Sequence, residues 1–354
     1  MRFRRLVSLC RMLLCLLTLI TGILLLFVIF IDGNLSPTGI VSNDREMKEL
    51  RIKAANLDLG TLTLQASKHY RISNHSACES TDPFIVNFVI STPTSKHTRE
   101  VIRRTWASVK RVGKYPVLTL FALGVPSNPD VLKALEKESK QYKDILLGNF
   151  VDTYYNLTLK TLMIMQWYIT FCPHASFLLK VDEDVFVNTI AMVGYLASLG
   201  KNENLYMGRI HWHAKPFRDP KSKYFVSEAD YPNDAYPTYC SGTAYLLSKD
   251  MARKIYVTAL ETPLFVFEDV YVGICAKKLG IHPKNSARMS GASRFYFDRC
   301  CYKTIFTSHQ MSPEDLGRLW AAVNDGEDCS PLSSLFGNVK CKILSFFSIS
   351  ETKK

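Results

Sequence analysis

The sequence predicts an α/β fold, a sheet covered by helices on both faces. Two observations predict it. From Pro83 onward, short apolar runs bounded by turn residues alternate with segments of helical period, the pattern of strands joined by crossover helices. In addition, the apolar run Phe177-Leu178-Leu179-Lys180-Val181 stops at Asp182-Glu183-Asp184 before Val185-Phe186-Val187-Asn188 resumes it. A buried strand whose end opens on a cleft reads this way, and ligands of such sheets bind beyond the carboxyl ends of strands.

The elements follow in order. Pro83 to Ser91 is a buried first strand, and Arg99 to Trp106 a basic helix. Val117 to Leu123 is a second strand. Asn128 caps a helix that has Pro129 at its first position and runs to about Tyr142. Asp144 to Phe150 is a short strand, and Leu159 to Phe171 a helix apolar nearly all round, hence buried. After the acids come a helix near Thr189 to Leu199 and a long loop, His211 to Tyr239, rich in Lys, Pro and aromatics. Long loops in compact domains are usually functional or disordered. Tyr239 to Ser248 is a strand interrupted by the small residues Ser241-Gly242-Thr243, either a simple bulge or a place where backbone approaches a ligand closely. Lys249 to Leu260 is a helix. Phe267 to Gly280 is another, with Glu268 and Asp269 at its start and Gly at its end. A polar helix lies between His309 and Asp325, and the tail beyond Cys329 is irregular to weakly amphipathic.

Met12 to Ile31 is continuously apolar, preceded by Arg2, Arg4, Arg5 and Arg11 and followed by Asp32. That is spanning length. The charge bias puts the N-terminus in the cytosol, and no small-residue cleavage site follows. The expected organisation is a cytosolic tail (1–11), a signal-anchor transmembrane helix (12–31), a polar stem (32–80), a lumenal catalytic domain (81–328) and a C-terminal tail (329–354). Eight cysteines lie beyond the anchor without zinc-type spacing, so several are expected to be disulfides in an oxidising lumen. Asn34, Asn74 and Asn156 are glycosylation acceptors on the same side. The net charge of +12 is scattered and no nucleic-acid module is visible, so nucleic acid is excluded as partner.

Three adjacent carboxylates are costly unless water or a cation neutralises them. Oxygen ligands suit Mg2+ or Mn2+, and such an ion beside a strand end can hold a diphosphate. The alternative is a solvated acidic turn.

Six blocks in order carry a resemblance: Ile102-Arg103-Arg104-Thr105-Trp106, Tyr155 to Lys160, Lys180 to Asn188, Tyr239 to Thr243, Glu268 to Gly273 and Thr307-Ser308-His309-Gln310. From Pro83 to Asp325 the chain resembles the inverting β-1,3-glycosyltransferases of the Golgi, which include β-1,3-galactosyltransferases and β-1,3-N-acetylglucosaminyltransferases. The resemblance implies a GT-A type nucleotide-sugar-binding sheet with bound Mn2+ (Mg2+ as alternative), a UDP-sugar donor, and a Golgi single-pass type II protein with its catalytic domain lumenal. Asp182-Glu183-Asp184 matches the family's Asp-x-Asp motif. By resemblance Asp184 ligates the metal, Asp182 holds ribose or the metal shell, Glu183 stands at the tolerated middle position beside the nucleotide, and His309 is the late histidine near metal and diphosphate. Asp269 matches the family's base, with Glu268 as a neighbour that could be confused with it. Placed at a helix start, Asp269 is expected to stay ionised. Arg99, Arg103 and Trp106 match the motif that handles the nucleotide; packing and surface charge are their plainer roles.

Ala107 stands where the family usually has Gly, and Val181 where it has a small polar residue. The blocks at Cys240 and Glu268 look more like galactosyltransferases. Gly208 to His211, Arg218-Asp219, Lys223 to Ser227 and Leu335 to Gly337 look more like the branch that adds N-acetylglucosamine to glycolipid. The reading taken is transfer of galactose from UDP-galactose to a glycan on lipid or protein. UDP-N-acetylglucosamine is the alternative donor, and a non-catalytic Golgi glycan-binding relative the alternative class. The aromatic loop 211–239 is expected to carry acceptor binding, with core filling as its plainer role.

Overall fold

The computed structural model describes Gly22 and residues 69–199 and 203–351. The signal anchor, most of the stem and Asn34 lie outside the described residues. No helix among the described residues is long and apolar enough to cross a membrane.

The chain enters with β1 (Tyr70–Ile72) and a short helix α1 (Ser76–Glu79), then β2 (Ile85–Ile90) and α2 (Lys96–Arg104). A 3-10 turn at Trp106–Ser108 leads to β3 (Arg111–Val112), β4 (Tyr115–Val125), α3 (Pro129–Tyr142) and β5 (Ile145–Val151). A second 3-10 turn, Tyr154–Asn156, opens α4 (Leu157–Phe171), which is followed by β6 (Phe177–Asp182), β7 (Phe186–Val187) and α5 (Thr189–Ser198). Then come β8 (Tyr206–His211), β9 (Tyr239–Ser248), α6 (Lys249–Leu260), α7 (Glu268–Lys278) and β10 (Lys284–Asn285). The chain closes with α8 (Arg299–Tyr302), β11 (Thr307–Ser308), α9 (Pro313–Val323) and α10 (Pro331–Glu351).

The main sheet runs β1-β5-β4-β2-β6-β9-β8-β10, with β3 hairpinned onto β4. Strands β5, β4, β2 and β6 are mutually parallel; β9 is antiparallel to β6 and β8 to β9. The mixed sheet has a hydrophobic core on each face. In β2 the alternation is explicit: Val86, Phe88 and Ile90 join the core with α4 and α6, while Ile85 and Val89 join the other. Both faces are therefore covered, and α4, apolar nearly all round, is buried along most of its length.

Two boundaries move. Strand β1 pairs with β5 and Cys78 is bonded to Cys172, so residues 70–80 belong to the fold and not to the stem. Three residues in a polar context carry no strand signal. The tail expected to be irregular is the helix α10, stapled by Cys300–Cys329 and Cys301–Cys341. Asn128 caps α3 as expected, its side chain accepting from Asp130 N at 2.8 Å.

Helix α7 lies against β9 with no spare room. A Cβ on Gly273 would stand 2.5 Å from Tyr239 Cβ. Gly273→Ala is expected to cost about 1–3 kcal/mol by overpacking, read as a lower Tm, because neither backbone can yield without shifting the start of α7.

Candidate active site

The carboxyl ends of β2 and β6 lie side by side, with Ile90 in register with Asp182. The acids therefore emerge at the rim of the sheet. Beside them runs β9, antiparallel, with Val181 opposite Ala244. Its pairing with β8 slips between Gly208–Tyr245 and Ile210–Cys240, so residues 241–244 bulge. The gap is a bulge, and it brings backbone close to the acids of α7. Gly242 N donates to Asp269 Oδ2 at 2.9 Å. A Cβ at Gly242 would stand 3.1 Å from both Asp269 Oδ2 and Glu268 Oε1, tight enough to favour glycine.

The two acids that open α7 have separate jobs. Glu268 is 5% exposed. Its Oε2 accepts from Thr161 (3.0 Å) and Tyr245 (3.1 Å), and its Oε1 is 3.0 Å from Lys180 Nζ. It is a buried strut. Asp269 is partly exposed and accepts from two backbone N–H groups, Gly242 and Val270, which leaves lone pairs for an incoming hydroxyl. Burial, and then the charge of Glu268, push Asp269 up to about 7. The helix-start argument favours the ionised acid. Desolvation outweighs it, and the group titrates where a base is useful.

Lys180 is the residue that sequence reading passed over. It is buried within β6 and its Nζ reaches Asp182 Oδ1 (2.7 Å), Glu268 Oε1 (3.0 Å) and the carbonyl of Gly242. One ammonium thus ties the acid cluster, the bulge and α7 together, and the charges of Asp182 and Glu268 hold it ionised despite burial. The available signal was a lysine inside an otherwise apolar strand, since a buried cation needs anionic partners.

Asp184 and His309, far apart in sequence, meet because β7 and β11 form a two-stranded ladder with Ser308 opposite Phe186. His309 Nε2 lies 3.1 Å from Asp184 Oδ2, and its Nδ1 faces the Ala292 carbonyl at 3.0 Å. Both ring nitrogens face acceptors. Burial alone would lower this imidazole, but the bond to Asp184 outweighs it and the group is raised. Among the described residues no group of three or more His, Cys, Asp and Glu side chains forms a metal cluster. The expected set Asp184, Asp182, His309 is therefore realised as a pair, because Asp182 is turned to Lys180.

Glu183 is tied to the loop after β2. Ser91 Oγ donates to its Oε2 (2.6 Å) and Ser95 Oγ to its Oε1 (2.8 Å). Behind Ser91 stands Arg99, which is 0% exposed. It donates to Ser91 Oγ (3.0 Å), to Thr92 O (2.6 Å) and in a fork to Glu138 (2.9 and 2.8 Å). Arg103 bridges Glu138 and Asp144 and stacks on Phe121 and Tyr142. Trp106 is fully buried in the second core. Arg99 thus holds the loop after β2, which in turn holds Glu183, while Arg103 ties α2 to Glu138 and Asp144. Ala107, buried in the 3-10 turn, is absent from the described residues with positive φ, so the missing glycine causes no strain.

Tyr154, 46% exposed, completes the rim. Burial first, then the charges of Tyr224, Asp269, Tyr155 and Asp182, raise its phenol to about 12. The expected glycosylation residues Asn74 and Asn156 both use their side-chain amide, donating to Ile145 O and Val151 O.

A family model described as Galactosyltransferase matches residues 97–287. Human beta-1,3-galactosyltransferase 9 is 40% identical over 304 residues, covering 86% of this chain and 82% of that protein. Mouse beta-1,3-galactosyltransferase 1 is 35% identical over 289 residues, 80% and 88% of the two chains. Human lactosylceramide 1,3-N-acetyl-beta-D-glucosaminyltransferase is 37% identical over 286 residues, 78% and 75%.

Proposed function

The chain belongs to the galactosyltransferase family and is a β-1,3-hexosyltransferase, and from that premise we propose that it transfers galactose from UDP-galactose, with inversion, to the 3-hydroxyl of an acceptor sugar. The observation that carries this reading is Asp269, a partly exposed carboxylate at the start of α7, held by two backbone N–H groups and pushed up to about 7 by burial. Inversion at the sugar carbon needs one in-line displacement and one base. Asp269 takes the proton of the acceptor hydroxyl as that oxygen attacks, and the UDP leaves from the opposite face. Galactose is taken as donor because the matching family model is described as Galactosyltransferase and the human beta-1,3-galactosyltransferase 9 is 40% identical against 37% for the N-acetylglucosaminyltransferase.

Asp184 and His309 fit Mn2+. Protonated, His309 satisfies both acceptors that it faces; a divalent ion shared with Asp184 would do so equally, and the oxygen–imidazole pair suits Mn2+ over Ca2+. The bound ion would neutralise charge on the departing diphosphate. Asp182, paired with Lys180, stands beside them for the nucleotide or a water of the metal shell. A Golgi type II topology with residues 12–31 as anchor belongs to the same proposal, as does glycosylation at Asn34, Asn74 and Asn156.

The test is UDP release by the full chain in detergent, with UDP-galactose or UDP-N-acetylglucosamine and a panel of acceptor sugars. Acceptor-dependent release with UDP-galactose, lost in EDTA and restored by Mn2+, is the expected result. Faster release with UDP-N-acetylglucosamine would overturn the donor, and full activity in EDTA would overturn the metal.

A further inference from the structure

The loop 211–239 carries an ordered aromatic surface that the chemistry at Asp269 does not use. Its order has a visible cause. Arg218 donates to four backbone carbonyls, those of Val226 (2.9 Å), Ser227 (2.8 Å), Tyr231 (2.7 Å) and Asn233 (3.2 Å). Val226 N donates to Phe217 O at 2.9 Å, and Phe217 bridges Phe225. Beneath lies a packed layer of Tyr231, Tyr236 and Phe265, with Tyr236 and Phe265 each 8% exposed. Those rings account for core filling. The rings above them do not. Phe217 is 57% and Tyr224 40% exposed, although the loop that bears them is tied down.

The exposed rings lead to Phe267, half-buried against the core and next to the acids of α7 in sequence. Phe217 and Tyr224 have centroids 5.8 Å apart, and Tyr224 and Phe267 6.1 Å apart. Phe267 is the residue that caps α7, immediately before Glu268 and Asp269. Each step is about the advance of one hexopyranose along a chain. Rigid aromatic faces bind at little conformational cost, and apolar rings held exposed beside a cleft mark a binding surface.

We propose that Phe267, Tyr224 and Phe217 form a preorganised track for the sugars behind the reacting one, so that the acceptor is an extended neutral oligosaccharide with Phe217 as its outermost subsite. This rests on the reading of Asp269 as the base at the acceptor end. The place of Phe267 argues for a glycan. The aromatic line reaches the residue that caps α7, just before Asp269 in sequence, and a chain held at that base can continue along it.

The experiment compares kcat/KM for mono-, di- and tetrasaccharides that end in the same sugar, using the full chain in detergent at saturating donor. The tetrasaccharide-to-monosaccharide ratio is expected to be about ten or more, the size of one good ring contact. It should fall towards one in Phe217→Ala and be kept in Phe217→Trp. Saturation-transfer NMR of the tetrasaccharide on Asp269→Asn supplies a readout without turnover. Transfer to the sugars behind the terminal one, lost in the Phe217→Ala double variant, is expected even if the donor or reaction has been misassigned. A ratio near one in the wild type, a ratio unchanged in Phe217→Ala, or a gain brought by an alkyl aglycone in place of further sugars would overturn the proposal, the last in favour of a lipid tail on the track.

Discussion

Replacing Asp269 with Asn is expected to lower kcat by about 10²–10⁴-fold, the range of a lost general base, with little change in the KM for donor. Asn presents an oxygen to one backbone donor but cannot take a proton from a hydroxyl. The wild-type pH profile provides the same test without a mutation. Burial and Glu268 push Asp269 up to about 7, and the group works only when ionised. Below that pH it is protonated and inert. The logarithm of kcat/KM should therefore rise with unit slope up to about pH 7 and then level. An acid limb near the ordinary carboxylate range, or an Asn variant keeping a tenth of the activity, would place the base elsewhere.

The second large effect is expected at Lys180. Its ammonium is 3% exposed and has Asp182, Glu268 and the Gly242 carbonyl as partners. Lys180→Met leaves Glu268 buried without its cation. Breaking a buried pair from one side costs about 3–5 kcal/mol, which for a domain of this size is a fall in Tm of roughly 6–20 °C. The kinetic signature differs from that of simple unfolding. With Glu268 unbalanced, Asp269 is harder to ionise, so the acid limb of surviving activity moves above pH 7. Lys180→Met/Glu268→Gln removes the orphaned charge and should recover part of the Tm. A double variant no more stable than the single one would show that Lys180 acts by packing alone.

Much of this was legible in the residues. The order of strands and helices followed from apolar period, from Asn128-Pro129 at one helix start and from Gly280 at another helix end. Asp269 stands out by its match to the family's base in the Glu268 to Gly273 block, since acids at a helix start are by themselves ordinary dipole partners. What escaped depended on partners distant in the chain. Arg99 and Arg103 pair with Glu138 and Asp144, which lie beyond intervening elements, so only the fold shows these ion pairs. The resemblance pointed to Asp184 and His309 together, but the two-residue strands that join them are too short to signal. The acidity of Asp269 was misjudged because a helix start is visible in sequence and desolvation is not. Disulfide partners, and the arginine at position 218 that orders the aromatic loop through carbonyls alone, carry no sequence signature at all.

The most direct test of the central claim is the anomeric configuration and linkage of the product, read by NMR after transfer from UDP-α-galactose. A single displacement with Asp269 as base gives a β-1,3 linkage from the α donor. An α-linked product would mean two displacements or a retained face, and a lone carboxylate at Asp269 could not then be the whole of the catalytic apparatus.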